Sequence, residues 1–257
     1  MGDELLCSVA DGVATVTLNR PAKRNALNRA MLEGLVGAFE RLEGDPTVRV
    51  VVVRGAGPAF CSGMDLDELA RQQDASADPE TSVVSVLRRI EQCRHPTLAV
   101  VHGDAFAGGC ELALHCDLRV AAEPARFAMP LARLGLVVPF TLGQKLVEII
   151  GPAMTRQILM VGRPLTARRA YEIGMVHEVV AAAELERAVE GLARTIAANA
   201  PLSLRGMKRT ILRALAARDG IDHADLDALA AQARRSRDAR EGVRAMLEKR
   251  VPDFRGE

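Results

Sequence analysis

One stretch constrains this chain more than any other: Val48-Arg49-Val50-Val51-Val52-Val53. β-branched residues this dense belong in a strand. With a single polar side chain among the six, that strand has no face to offer water. Strands buried on both faces occur where helices flank a largely parallel sheet.

The surrounding pattern agrees. Residues 5–10 and 13–18 alternate apolar and polar around Asp11-Gly12, which predicts a hairpin. After the polar segment LNRPAKRNAL, Asn28 is placed to cap a helix whose apolar residues run from Met31 to Leu42, closed by Gly44. Residues 55–63 read as a loop, and residues 72–81 as a small, polar, mobile segment. Asp65 can cap a short helix; another helix is expected at 82–93. Further strands are expected at 98–102, 117–122 and 176–180. Strands alternating with helices predict a layered α/β fold. Beyond Pro201 the chain reads as helices only, at 203–217, 222–235 and 238–250. The best division puts an α/β core at 1–198 and a helical region at 199–257.

Charge excludes several classes of function. Thirty-four basic against thirty-three acidic residues leave a net charge of +1, which is no field for nucleic acid or an anionic membrane. Aromatic residues are 3% of the chain, too few for base-stacking platforms. No apolar stretch approaches a membrane span. The five cysteines have no paired spacing, so neither a disulfide framework nor a metal site is expected. A reducing cytoplasm is the expected location.

Two glycine turns carry the chemistry. Ala59-Phe60-Cys61-Ser62-Gly63-Met64-Asp65 and Ala105-Phe106-Ala107-Gly108-Gly109-Cys110-Glu111 both lead from a strand into a helix. Amides at a helix start have no internal partner, and glycine lets a ligand approach the backbone closely. Such donors suit an anion or a developing oxyanion, although two ordinary tight turns would read the same way. Glu111 heads an otherwise apolar helix. Either it complements the helix N-terminus, or it is an acid/base beside the donors. No GxGxxG, GxxxxGK[ST] or GxSxG motif is present.

The segments LNRPAKRNAL, AFCSGMDLDEL, HPTLAVVHGDAFAGGCELALHCDLRVAAEPARFAMPLARLGL, GPAMTRQILMVGRPLTARRAYEIGMVHEVV and FRG resemble the enoyl-CoA hydratase/isomerase (crotonase) family, in order and over essentially the whole chain. The resemblance implies a core of repeated ββα units with a C-terminal helical region that mediates trimers or dimers of trimers. It implies an acyl-CoA thioester substrate, with no separate cofactor. It places the two oxyanion amides on Ser62 and Gly108 and the acid/base on Glu111. It places CoA and acyl contacts on Arg24, Ala26, Ser62, Gly63, Met64, Asp65, Leu66, Gly108, Leu131 and Phe140. Arg20, Lys23, Lys249 and Arg250 are further candidates for the CoA phosphates.

One position departs from the family. Where hydratases carry a second glutamate, this chain has Leu131, and no acid occurs between Glu123 and Glu148. One carboxylate permits slow hydration but fits efficient hydration poorly; isomerisation, decarboxylation or enolate protonation suit such a site better. The leading reading is an enoyl-CoA hydratase or isomerase with Glu111 as acid/base, and the second is decarboxylation of a malonyl-type acyl-CoA. A non-catalytic acyl-CoA-binding protein is a third reading. Asp104 or an acid within residues 74–80 is a candidate replacement for the missing group. Leu204, Met207, Ile211, Leu212 and Leu215 form an apolar stripe expected to meet neighbouring subunits.

Overall fold

The computed structural model describes residues 4–72 and 82–257. Most of the segment expected to be mobile, 73–81, lies outside the described residues. Six strands make the larger sheet: β1 (Leu5–Ala10), β2 (Val13–Leu18), β3 (Val50–Gly55), β5 (Thr97–Val101), β7 (Leu118–Ala122) and β10 (Glu178–Val180), hydrogen-bonded in that order. β1 and β2 are antiparallel, and every other neighbouring pair is parallel. Asp11 and Gly12 both take positive φ, 50° and 79°, as a type I′ hairpin turn requires.

The valine run explains itself in this sheet. Val51 and Val53 bury into one core together with Ala99, Val101 and Ala121. Val50 and Val52 bury on the opposite face with Leu98, Val100 and Val120, under α7 (Leu185–Ala198). Alternate side chains thus enter two different apolar layers. The first layer is filled by α1 (Arg29–Gly44), α3 (Val83–Gln92) and α4 (Gly108–Leu114). The Asn28 side chain accepts from the Met31 amide at 2.9 Å, and so caps α1.

A second sheet corrects the sequence reading. β4 (Ala59–Cys61), β6 (Asp104–Phe106), β8 (Arg126–Ala128) and β9 (Leu165–Thr166) pair in that order, so part of the expected 55–63 loop is strand. Segments of two or three residues are too short to show a period, and only pairing defines them. The chain steps three times from the larger sheet to the smaller: β3 to β4, β5 to β6 and β7 to β8. The first two steps continue into α2 (Leu66–Gln72) and α4; the third ends in a short 3-10 turn, Leu131–Leu134. The repeated ββα core is therefore present.

The rest is helical. α5 (Phe140–Arg156) is broken at Gly151, α6 (Ala167–Glu172) precedes β10, and α8 (Pro201–Leu215), α9 (Ala224–Arg235) and α10 (Arg237–Glu248) follow α7. No helix among the described residues is long and apolar enough to cross a membrane.

Candidate active site

A cavity of about 500 Å³ opens where the two glycine turns meet. One wall is the segment after β4. There the Leu27 amide donates to the Gly63 carbonyl at 2.7 Å, and the Asp65 amide donates to the Leu27 carbonyl at 2.9 Å. In a trans peptide the N–H points opposite to the preceding C=O. The Met64 N–H therefore points away from Leu27. The same reasoning holds at Gly108. The Ala107 carbonyl accepts from the Glu111 amide inside α4, so the Gly108 N–H points out of the helix start. A Cβ built on Gly108 would lie 3.7 Å from the Met64 nitrogen, which brings these two amides side by side.

Ser62 does not supply the expected donor. Its N–H is donated to the Arg24 carbonyl at 3.0 Å, tying the 20–26 loop to the end of β4. The same loop is held by Asn25, fully buried, which sequence reasoning passed over. Asn25 Nδ2 donates to the Ala56 and Ala59 carbonyls, both at 2.8 Å, and its Oδ1 accepts from the Arg20 amide at 2.9 Å. Its φ of 56° suits asparagine; nothing in the local pattern distinguished it from a solvated loop residue.

Two glycines keep the turns together. Gly63, at φ 100°, holds a conformation that L side chains rarely adopt, and a Cβ there would press on the Phe106 carbonyl oxygen at 3.0 Å. A Cβ on Gly109 would lie 2.2 Å from the Cys61 carbonyl oxygen. Gly108 is different, since its nearest contact would be Leu27 Cδ1 at 3.4 Å. Before it, Ala107 holds φ 47° and ψ −119°, a strained geometry of the kind that collects at functional sites.

Glu111 lines this cavity and is otherwise buried. Neither carboxylate oxygen has a hydrogen-bond partner among the described residues. His115 Nδ1 stands 3.8 Å from Oε2 but pairs with the Glu111 main-chain carbonyl at 2.8 Å. Burial pushes the Glu111 carboxyl well above its ordinary value of 4.5, and the charge of Lys145 only partly opposes this. Lys145 donates to Glu91 and Glu148, at 2.8 and 3.1 Å.

Among the described residues no other acid nearby stands in for the second glutamate. Asp65 and Asp67 line the cavity, but Asp65 is paired with Arg20 and Asp67 with Lys23, each at 3.0 Å. Asp104 is gripped by Arg126 at 2.8 and 2.9 Å and also by Arg24, which removes it as a replacement. Residues 74–80 lie outside the described residues. Leu131 faces the cavity among Met129, Leu134, Leu136 and Leu142.

The structure gathers Arg24, Ala26, Ser62, Met64, Asp65, Leu66, Gly108, Glu111 and Leu131 around one space, with Lys23 at its edge. Gly63 sits behind the wall. Phe140 is not among the lining residues: its ring stacks on His223, centroids 4.8 Å apart. Lys249 and Arg250 are also absent from the lining, and Arg250 is clamped by Glu241 and Glu248. Lining residues that the sequence did not propose for the site include Leu69 of α2, Val83 of α3 and, from α9 and α10, Ala230, Arg234, Met246 and Leu247.

The family model for enoyl-CoA hydratase/isomerase matches residues 8–257. The chain belongs to that family. It is 35% identical to the 2,3-dehydroadipyl-CoA hydratase of Escherichia coli over 98% of this chain and 99% of that protein. It is 38% identical to a putative enoyl-CoA hydratase of Thermus thermophilus, covering 94% and 97%. Among solved structures, an enoyl-CoA hydratase/isomerase from Pseudoalteromonas atlantica superposes with a TM-score of 0.87 at 30% identity, over 98% of this chain and 100% of that one. Methylmalonyl-CoA decarboxylase complexed with 2S-carboxypropyl CoA superposes with a TM-score of 0.89 at 27% identity, over 99% and 98%. This crotonase-fold enzyme therefore resembles relatives named for more than one reaction on acyl-CoA thioesters.

Proposed function

We propose that this enzyme stabilises the enolate of an acyl-CoA thioester and that Glu111 alone moves the proton. The Met64 and Gly108 amides are the oxyanion donors in this reading; Met64 takes the place expected for Ser62. Each preorganised donor of this kind contributes about 3–4 kcal/mol of transition-state stabilisation. The observation that carries the reading is the Glu111 carboxyl itself, buried, without a hydrogen-bond partner among the described residues, and lining the cavity. A polar group left so costs the fold about 1–3 kcal/mol, and a ligand exchanging a proton with it gives that cost a use.

The leading reaction is double-bond isomerisation of an enoyl-CoA, with hydration slower. General acid–base help amounts to about 10²–10⁴-fold per well-placed group, and Leu131 supplies none. Decarboxylation of a malonyl-type acyl-CoA is the second reading. Burial favours the neutral acid of Glu111, the form that protonates an enolate left by loss of CO₂. The superposition on methylmalonyl-CoA decarboxylase favours it too. The pH profile separates them. Isomerisation starts from the carboxylate, so its rate climbs as pH rises through the raised pKa of Glu111. Protonation starts from the neutral acid, so decarboxylation falls over the same range. Turnover of 3-enoyl-, 2-enoyl- and malonyl-type CoAs measured across pH, with Glu111→Gln as control, tests both; no turnover of any of them overturns the enzymatic reading.

Self-association belongs to the same proposal. Leu202, Met207 and Ile211 of α8 and Leu226 and Leu229 of α9 are exposed, and a trimer or dimer of trimers would cover them. A monomer in light scattering at micromolar concentration overturns this part.

A further inference from the structure

α10 touches the Leu131–Leu134 turn on one side and α2 on the other. It therefore lies across the cavity that both elements help to line. Its distance from the turn is set by backbone meeting backbone. A Cβ on Gly242 would fall 2.5 Å from the Leu134 carbonyl carbon and 2.7 Å from its Cα. Reciprocally, a Cβ on Gly135, at φ 66°, would fall 2.7 Å from the Asp238 carbonyl carbon and 2.8 Å from the Ala239 nitrogen. No side chain at either position fits without moving the helix.

The outer face of α10 is held as well. Asp238 accepts from the Arg255 and Gly256 amides at 2.8 Å each, and Glu241 receives Arg250 and the Asp253 amide. The last residues of the chain thus bind back along the helix. One turn beyond Gly242, Met246 and Leu247 line the cavity and are 41% and 47% exposed. Large apolar side chains left open on a cavity wall are surface that a ligand can cover. The 20–26 loop brings the cations Lys23 and Arg24 to the cavity and α9 brings Arg234, whereas the turn that α10 rests on carries Leu131 and Leu134 and follows Met129.

We infer that α10 is the specificity wall of this cavity: Met246 and Leu247 limit the length of the acyl chain, and the close packing of Gly242 on Leu134 and of Gly135 on Asp238 and Ala239 holds them at that limit. This rests on the reading of the cavity as an acyl-CoA site. An apolar wall discriminates by the methylenes it admits, about tenfold or more for each.

Butyryl-CoA and octanoyl-CoA, saturated and unreactive in isomerisation, are suitable probes for titration calorimetry on the full chain. Met246→Ala and Leu247→Ala change exposed side chains and leave the packed contact intact. Each is expected to shift the octanoyl-to-butyryl affinity ratio about tenfold toward octanoyl-CoA. Gly242→Ala, where it folds, is expected to shift the ratio in the same direction by displacing the helix. An unchanged ratio in both truncations overturns the inference. So does equal weakening of both ligands, which would place α10 against the part they share. Failure of either thioester to bind the unaltered chain overturns the reading of the cavity, and this inference with it.

Discussion

The two glycine turns are near copies in sequence and opposites in structure. Aligned on Ala-Phe, Ser62 matches Gly108, Gly63 matches Gly109, and Asp65 matches Glu111. In the first turn the Ser62 amide is engaged by Arg24, and the donor facing the cavity comes two residues later, at Met64. In the second, the Gly108 amide is itself the outward one. The carboxyls diverge in the same way. Burial pushes Asp65 up, but the Arg20 hydrogen bond and charge, with the Asp67 amide, hold it below its ordinary 3.8. Glu111 has burial and no such partner, and rises. One turn has its carboxyl satisfied; the other leaves its carboxyl without a hydrogen-bond partner among the described residues. The difference comes from what packs against each turn, not from the residues in it.

The largest expected effect is on the reactive side of that contrast. Glu111→Gln should lower turnover of the best substrate by about 10²–10⁴-fold, and a variant within threefold of the parent would remove Glu111 from the chemistry. Next is Gly108→Val. It should fold, because its Cβ would come no nearer than 3.4 Å to any neighbour, and lose about 10²–10³ in kcat as the branched side chain crowds the oxyanion position. Gly109→Ala, one residue on, should instead cost stability, about 1–3 kcal/mol by denaturant titration, because it forces α4 off the Cys61 carbonyl. Equal stability losses at 108 and 109 would erase the distinction. Ser62→Ala should be almost silent, within about threefold in kcat, since a backbone donor contact survives the change.

Stability against pH sharpens the comparison further. Glu111, raised above its ordinary 4.5, contributes stability that is complete below that value and lost as pH rises toward the shifted pKa. The Tm of Glu111→Gln should therefore gain on the parent as pH climbs from about 4.5. Asp65 has the opposite sign. Its stabilisation is present above its ordinary 3.8 and lost as pH falls, so Asp65→Asn should cost most near neutrality and least in acid. Tm curves for the two variants that run parallel would contradict both assignments.

Helices and the larger sheet were legible because their signals are local and long. Val50–Val53 announced a doubly buried strand, Asp11-Gly12 a turn and Asn28 a cap. Glu111 was legible too, as an acid heading an apolar helix, and Leu131 as an apolar residue where a second acid was due. The smaller sheet was not, because strands such as Leu165–Thr166 exist only through their partners. Asn25, Met246 and Leu247 were invisible for the same reason.

By itself, then, the amino-acid sequence determined the α/β layering, the two glycine turns and the carboxyl that ends each of them, since periodicity, β-branching and turn chemistry act within a few residues. The tertiary structure decided which amides point away from their neighbours, which carboxyl lacks a partner among the described residues, and that α10 lines the cavity. Those depend on the direction of a peptide plane, on a cation 45 residues away in the chain, and on glycines where two backbones touch, and none of these is a property of a local segment.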